Sequence, residues 1–116
     1  MDDKRTFLIC PVRGHSPEET RANVEKLESE GWDVYWPPRD TDQDDPTGLR
    51  ICKDNRAAIK ARPYVHIIWD GKSQGGLFDL GMAFAYEKKI IAIELPEPTE
   101  GKSFQNMVTE WAGLEV

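Results

Sequence analysis

The segment from Asp70 to Asp79, DGKSQGGLFD, combines two carboxylates, a serine and three glycines just before or within a predicted helix. Backbone N–H groups at Gly75 and Gly76 and the hydroxyl of Ser73 could bind a phosphate or a sugar oxygen. The carboxylate of Asp79 could attack a glycosidic carbon or stabilise a cation. The simpler interpretation is that its negative charge interacts favourably with the positive end of the helix dipole. The segment matches neither the P-loop nor the Rossmann glycine pattern.

A second polar loop, Arg13-Gly14-His15, follows the first apolar segment of the chain. His15 could contact a phosphate or act as an acid, and a surface histidine before a helix is an equally good interpretation. Asp54 lies in the middle of another predicted helix, where a solvated surface charge is the simpler interpretation.

The elements that must position these residues alternate between strand and helix. Short apolar segments predict strands at 6–12, 32–36, 64–69 and 90–95, and capping residues with helical spacing predict helices at 16–30, 47–62, 77–88 and 103–112. Such alternation predicts an α/β fold with a parallel sheet and right-handed crossovers. We expect a flavodoxin-like three-layer sandwich with four or five strands in the order 2-1-3-4(-5).

In this fold, ligands bind beyond the carboxyl ends of the strands, near the switch in strand order. Three polar loops, at residues 13–15, 39–46 and 70–76, follow the first three predicted strands. The sequence therefore predicts that the candidate residues collect at one edge of the sheet.

Composition limits the class of protein. A chain of 116 residues predicts a single domain over 1–116, and 39% hydrophobic with 31% charged residues is typical of a globular protein. The net charge of −6 argues against binding to a nucleic-acid polymer, and no apolar run reaches the ~20 residues of a membrane span. Cys10 and Cys52 lie among apolar neighbours without metal-ligand spacing, which favours a reduced cytoplasmic protein and no metal site.

The segment DNRAAIKARPYVHIIWDGKSQGGLFDLGMAFAYEKKIIAI, residues 54–93, resembles the nucleoside 2-deoxyribosyltransferase family, which includes 2'-deoxynucleoside 5'-phosphate N-hydrolases. Its DLGMAFA, residues 79–85, corresponds to the family pattern Glu-Leu-Gly-x-Ala-x-Ala. In the N-terminal half, FLICPVRG and LESEGWDVYWPP resemble the first strand with its ligand loop and the second strand of the family. The resemblance covers nearly the whole chain.

The resemblance implies cleavage of the N-glycosidic bond of a 2'-deoxynucleoside or its 5'-monophosphate, without a metal or organic cofactor. Asp79 takes the position of the family's nucleophile, and Asp54 that of a helix Asp that assists at the base or sugar. Arg13 and Gly14 resemble a loop that suggests a 5'-phosphate ligand, and Ser73 is a further phosphate or sugar contact. Family members build sites across subunits, which implies a homodimer or higher homo-oligomer.

Two differences from the family keep a second hypothesis open. Asp79 replaces a Glu and is one methylene shorter, and a misplacement of about 1 Å can cost ~10²-fold in rate. Ser73 stands where the transferases carry a sugar-binding Asp, which Asp70 could partly replace. The alternative is a catalytically inactive nucleotide-binding or sensor module of the same fold.

Overall fold

The computed structural model describes residues 3–11 and 16–114. Strands and helices alternate along the chain in the order β1 (Arg5–Ile9), α1 (Pro17–Ser29), β2 (Asp33–Tyr35), α2 (Pro37–Asp40), α3 (Leu49–Ala61), β3 (Tyr64–Ile68), α4 (Gln74–Ala85), β4 (Lys89–Glu94) and α5 (Phe104–Ala112). The described strands form one parallel sheet in the order β2-β1-β3-β4, which confirms the predicted flavodoxin-like α/β fold. Within these residues, no helix is both long and apolar enough to cross a membrane.

The sheet divides the core into two layers because side chains alternate between its faces. The larger layer packs the sheet against α3, α4 and α5, and its buried residues are Phe7, Ile9, Ile59, Val65, Ile67, Trp69, Leu80, Ala83, Ile90 and Val108. The smaller layer packs the other face against α1, through Leu8, Val24, Leu27, Val34, Trp36 and Ile68. The strands are therefore covered on both faces in the middle of the sheet, as their near-continuous apolar sequences predict.

The core also contains a histidine. The sequence places His66 in a buried strand, and its side chain is buried, with Nδ1 at 2.7 Å from Thr6 Oγ1. The ring of Trp32 packs edge-on against the imidazole. Burial lowers the pKa of His66 to about 4, so the ring is neutral at neutral pH and acts as a polar core residue.

The boundaries of two helices differ from the sequence prediction. The short helix α2 occupies residues that the sequence predicts to end a strand and begin a loop. Two features stabilise its start: Pro37 suits the first helical position, and Asp40 Oδ2 accepts the N–H of Trp36 at 2.8 Å. The helix α4 begins at Gln74 rather than near residue 77, because Ser73 Oγ accepts the N–H of Gly76 at 3.2 Å and caps the helix. Asp79 consequently lies in the second turn of α4 and not in its first.

Candidate active site

A cleft of about 1040 Å³ opens at the carboxyl edge of the sheet. Its walls come from the end of β1, from α2, from the first half of α3 and from the loop that leads into α4. Of the sequence-predicted site residues, the structure brings Asp70, Ser73, Gly75, Gly76 and Asp79 together here. Three further predicted residues, Arg13, Gly14 and His15, lie outside the described part of the chain, and Asp54 does not line the cleft.

Asp79 is the carboxylate of the cleft whose environment is most unusual. Its side chain is half-buried, and burial raises its pKa from the ordinary 3.8 to about 7. Among the described residues it has no ion-pair or hydrogen-bond partner. A carboxylate in this setting binds a proton readily in the free protein, and it gains stability from any positive charge that appears beside it.

Two cysteines contribute to the low polarity around this carboxylate. Cys10 follows β1 and Cys52 lies on α3, and both line the cleft. Burial is the main cause that raises the pKa of the Cys10 thiol to about 11, and the charge of Asp79 acts in the same direction. Burial also raises the pKa of Cys52, together with the charges of Asp79 and Asp45. Both thiols are therefore neutral at neutral pH and are poor nucleophiles.

The loop between β3 and α4 is held by its own polar groups. Asp70 Oδ1 accepts the N–H groups of Lys72 and Ser73, each at 2.8 Å. Although burial acts to raise the pKa of Asp70, these two hydrogen bonds bring it below its ordinary value. Asp70 is thus ionised at neutral pH and fixes the loop, while Ser73 Oγ caps α4 and retains a hydroxyl proton that could be donated to a ligand.

The two glycines at the start of α4 have different surroundings. A Cβ at Gly76 would lie 2.9 Å from Cδ1 of the buried Trp69, so no side chain fits at this position without a shift. A Cβ at Gly75 would meet nothing within 4 Å, so this position borders open space. Both glycines precede Asp79 by one helical turn, and side chains on a helix lean toward its N-terminus. At Gly75, one turn before the carboxylate, the helix therefore places no side chain over the open space.

Asn55 lies on α3 and lines the cleft, although no motif in the sequence indicates it as a site residue. Its side chain is buried, and its Oδ1 accepts the hydroxyl proton of Thr41 at 2.8 Å. The Thr41 Oγ1 lies 2.6 Å from Tyr35 Oη, which can donate to it in turn. This chain of hydrogen bonds fixes the amide oxygen toward Thr41 and leaves the NH₂ group of Asn55 to donate elsewhere.

Asp54, in contrast, is not brought to the cleft. Its carboxylate is exposed on α3 and forms an ion pair with Arg50 at 2.8 Å. The helical spacing of Ile51, Asn55 and Ile59, four residues apart, would have indicated that residue 55 faces the interior and residue 54 does not.

These features define a class of protein. At the carboxyl edge of the flavodoxin-like sheet, the described part of the chain has a carboxylate of raised pKa without an ion-pair partner there, a fixed amide on the neighbouring helix and a glycine that borders open space. Such an arrangement can bind a small polar molecule and stabilise a positive charge that develops on it.

Known structures carry the same fold. A 2-deoxyribosyltransferase from Bacillus psychrosaccharolyticus aligns over 91% of this chain and 80% of its own, with a TM-score of 0.70 and 17% identity. A CMP N-glycosidase from Clostridium botulinum aligns over 93% of this chain and 80% of its own, with a TM-score of 0.58 and 25% identity. No protein-family model matches the sequence, and no curated protein is significantly similar to it. The resemblance to the nucleoside 2-deoxyribosyltransferase family, stated above from the sequence, is thus confirmed through the fold.

Proposed function

We propose that this protein cleaves the N-glycosidic bond of a 2'-deoxynucleoside or its 5'-monophosphate, with Asp79 as the nucleophile. The observation that carries the proposal is the half-buried Asp79 carboxylate, which faces a ligand-sized cleft and has no counter-ion in the described part of the chain. The two similar structures, a deoxyribosyltransferase and a CMP N-glycosidase, support glycosyl transfer or cleavage in general.

In this reaction the bond from the anomeric carbon to the base nitrogen breaks as a bond to an Asp79 oxygen forms. The electron pair of the broken bond goes to the base, which takes a proton from solvent, and positive charge develops on the sugar in the transition state. The ionised carboxylate stabilises that charge strongly because its surroundings are apolar. Water or a second base then displaces the sugar from Asp79 and restores the carboxylate.

The shorter side chain of Asp79, compared with a Glu, requires the sugar to come closer to the backbone of α4. Gly75 supports such an approach, because it lies one helical turn before Asp79 and borders open space. The fixed NH₂ group of Asn55 is a suitable donor to an acceptor atom of the leaving base. Asp54 has no part in this proposal, since its carboxylate pairs with Arg50 outside the cleft.

Binding of a 5'-phosphate is proposed for Arg13, Gly14 and His15, supported by their place in the sequence. They lie between Pro11, which follows β1, and Ser16, which caps α1. In a doubly wound fold, ligands bind beyond the carboxyl ends of the strands, and these residues follow the first strand in sequence. Ser73 is the second candidate, with a hydroxyl at the N-terminus of α4.

The test is chromatography of free base after incubation with each 2'-deoxynucleoside, each 5'-monophosphate and CMP, with and without an acceptor base. We expect the wild type to release base and Asp79→Asn to release none. The matched control is Glu25→Gln, which removes a carboxylate from the exposed side of α1 and should leave the rate unchanged. Asp79→Glu, which keeps a carboxylate, should preserve or raise the rate.

The pH dependence adds a second readout. Because the nucleophile must be ionised and its pKa is about 7, kcat/KM should rise with pH and level off above about pH 7. The absence of base release from every substrate would refute the catalytic proposal. Saturable binding of a nucleotide without release would favour the alternative, a binding or sensor module.

A further inference from the structure

Two side-chain amides line the cleft, and both are anchored to the same residue, Thr41. Gln43 follows α2 and Asn55 lies on α3. The backbone oxygen of Thr41 accepts a hydrogen bond from Gln43 Nε2 at 3.1 Å, and its hydroxyl donates to Asn55 Oδ1 at 2.8 Å. A side-chain amide has a donor end and an acceptor end, so an amide held at one end offers the other to a ligand. The free ends of both amides therefore border the same part of the cleft, next to Thr41.

The orientation of the Gln43 amide follows from its two partners. Its Nε2 donates to the backbone oxygens of Pro37, at 2.9 Å, and of Thr41. Carbonyl oxygens only accept hydrogen bonds, so the nitrogen of the amide must face them. Both protons of the NH₂ group are used in these bonds, and Gln43 Oε1 remains as an acceptor on the wall of the cleft.

The Asn55 amide has the opposite orientation, and Tyr35 determines it. The phenol of Tyr35 lies 2.6 Å from Thr41 Oγ1 and donates its proton there, which directs the Thr41 proton to Asn55 Oδ1. Tyr35 is itself held by stacking on the ring of Phe7, with centroids 5.5 Å apart. The NH₂ group of Asn55 has no hydrogen-bond partner within the described residues, although the side chain is only 6% exposed. Because an unpaired buried donor is costly, this group strongly favours a ligand that offers it an acceptor.

We infer that the cleft selects bases in which a ring-nitrogen acceptor adjoins an exocyclic amino group. Cytosine and adenine have this pattern on the edge remote from the sugar, where the acceptor would meet the NH₂ group of Asn55 and the amino group would meet Gln43 Oε1. Uracil and hypoxanthine have an N–H beside a carbonyl on the same edge, so they would place donor against donor and acceptor against acceptor. The inference rests on the proposed function and specifies its substrate class.

The two contacts contribute unequally to the selectivity. A keto base leaves the NH₂ group of Asn55 unpaired in a buried position, whereas Gln43 is exposed and water can pair with its Oε1. We therefore expect most of the discrimination to come from Asn55. Rejection of a ligand that leaves one buried donor unpaired corresponds to about 10–100-fold in kcat/KM.

The test is competition between two nucleotides that differ at this edge alone. Equal concentrations of dCMP and dUMP, or of dAMP and dIMP, are incubated with the protein, and the initial rates of base release give the ratio of kcat/KM. We expect dCMP and dAMP to be preferred by about 10–100-fold. Asn55→Asp offers an acceptor to the cleft in place of the NH₂ group, so the preference should fall at least ~10-fold. Tyr35→Phe allows Thr41 to accept and the amide of Asn55 to turn, so the preference should fall toward equality.

The matched control is Asn23→Asp, the same exchange on α1, which packs on the other face of the sheet and should leave the preference unchanged. Circular dichroism establishes that each variant is folded. Gln43→Ala, at an exposed position, provides a further variant whose preference should fall by a smaller factor than that of Asn55→Asp.

Equilibrium dialysis with the same four nucleotides separates binding from cleavage. Equal kcat/KM values within each pair, or an unchanged preference in Asn55→Asp, would overturn the inference and leave the proposed function standing. Selective binding of dCMP and dAMP without base release would refute the proposed function alone. The absence of binding and of release for all four nucleotides would overturn both.

Discussion

Replacement of Asp79 by Asn should stabilise the fold at neutral and alkaline pH. The pKa of Asp79 is raised from 3.8 to about 7 because the folded protein buries the carboxylate. A group whose pKa is raised by folding contributes its full stability below the unfolded value, and that stability is lost as the pH rises through the folded value. An amide has no such penalty, since it stays neutral at every pH.

The magnitude follows from the shift. Each pKa unit corresponds to about 1.4 kcal/mol, so a shift from 3.8 to about 7 amounts to at most about 4 kcal/mol of unfolding free energy. The stability difference between Asp79→Asn and the wild type should be at its minimum below pH 4 and grow between pH 4 and 7. Above about pH 7 it should be constant. Other groups that titrate in this range affect both proteins equally.

The assay is urea unfolding followed by tryptophan fluorescence at intervals from pH 4 to pH 8.5. The comparison is the difference in unfolding free energy between the variant and the wild type at each pH. Glu25→Gln, on the exposed side of α1, is the control and should give a difference near zero throughout. A difference for Asp79→Asn that does not change with pH would refute the reasoning, since it would mean that burial does not raise the pKa.

Three further substitutions test the contacts that hold the cleft residues in place. Thr41→Val removes the donor to Asn55 Oδ1 and leaves a buried acceptor unpaired, so we expect a loss of about 1–3 kcal/mol in urea unfolding; a loss below ~0.5 kcal/mol would contradict the role of this hydrogen bond. Gly76→Ala places a Cβ 2.9 Å from the buried Trp69 and should lower the free energy of unfolding by about 1–3 kcal/mol. Gly75→Ala, in open space, should leave it unchanged or raise it slightly. Equal effects of the two substitutions would show that the contact with Trp69 does not determine the effect.

The sequence predicts the sheet better than it predicts the site. The apolar strand segments and the cap residue Ser16 follow from local patterns, and the structure confirms the strand order and that cap. The sequence predicts the start of α4 three residues too late, because the glycines that follow Ser73 are typical of a loop, although Ser73 caps the helix. Local propensity cannot show that Gly76 lies against Trp69, a contact between a helix and the end of a strand.

The choice of Asp54 over Asn55 has a different cause. The carboxylate of Asp54 is chemically more suggestive than the amide of Asn55, so residue type favours position 54, whereas helical position favours position 55. Asn55 is fixed by hydrogen bonds that run through Thr41 to Tyr35, which lie 14 and 20 positions earlier in the sequence. No local sequence pattern reveals hydrogen bonds over such separations. The raised pKa of Asp79 likewise depends on burial in the folded cleft rather than on its neighbours in sequence.

The helix α4 has different surroundings on each of its three sides. Leu80 and Ala83 lie in the core, Asp79 lines the cleft, and Phe78 and Gly81 lie on the outward apolar surface. The helix α1, in contrast, buries Thr20, Val24 and Leu27 and exposes charged residues elsewhere. The rate of accepted amino-acid substitution should therefore be lower in α4 than in α1, although the two helices are of nearly equal length. Random mutagenesis with selection should leave few accepted changes in α4 and many in α1, so the more slowly evolving of these two helices is the one with fewer charges.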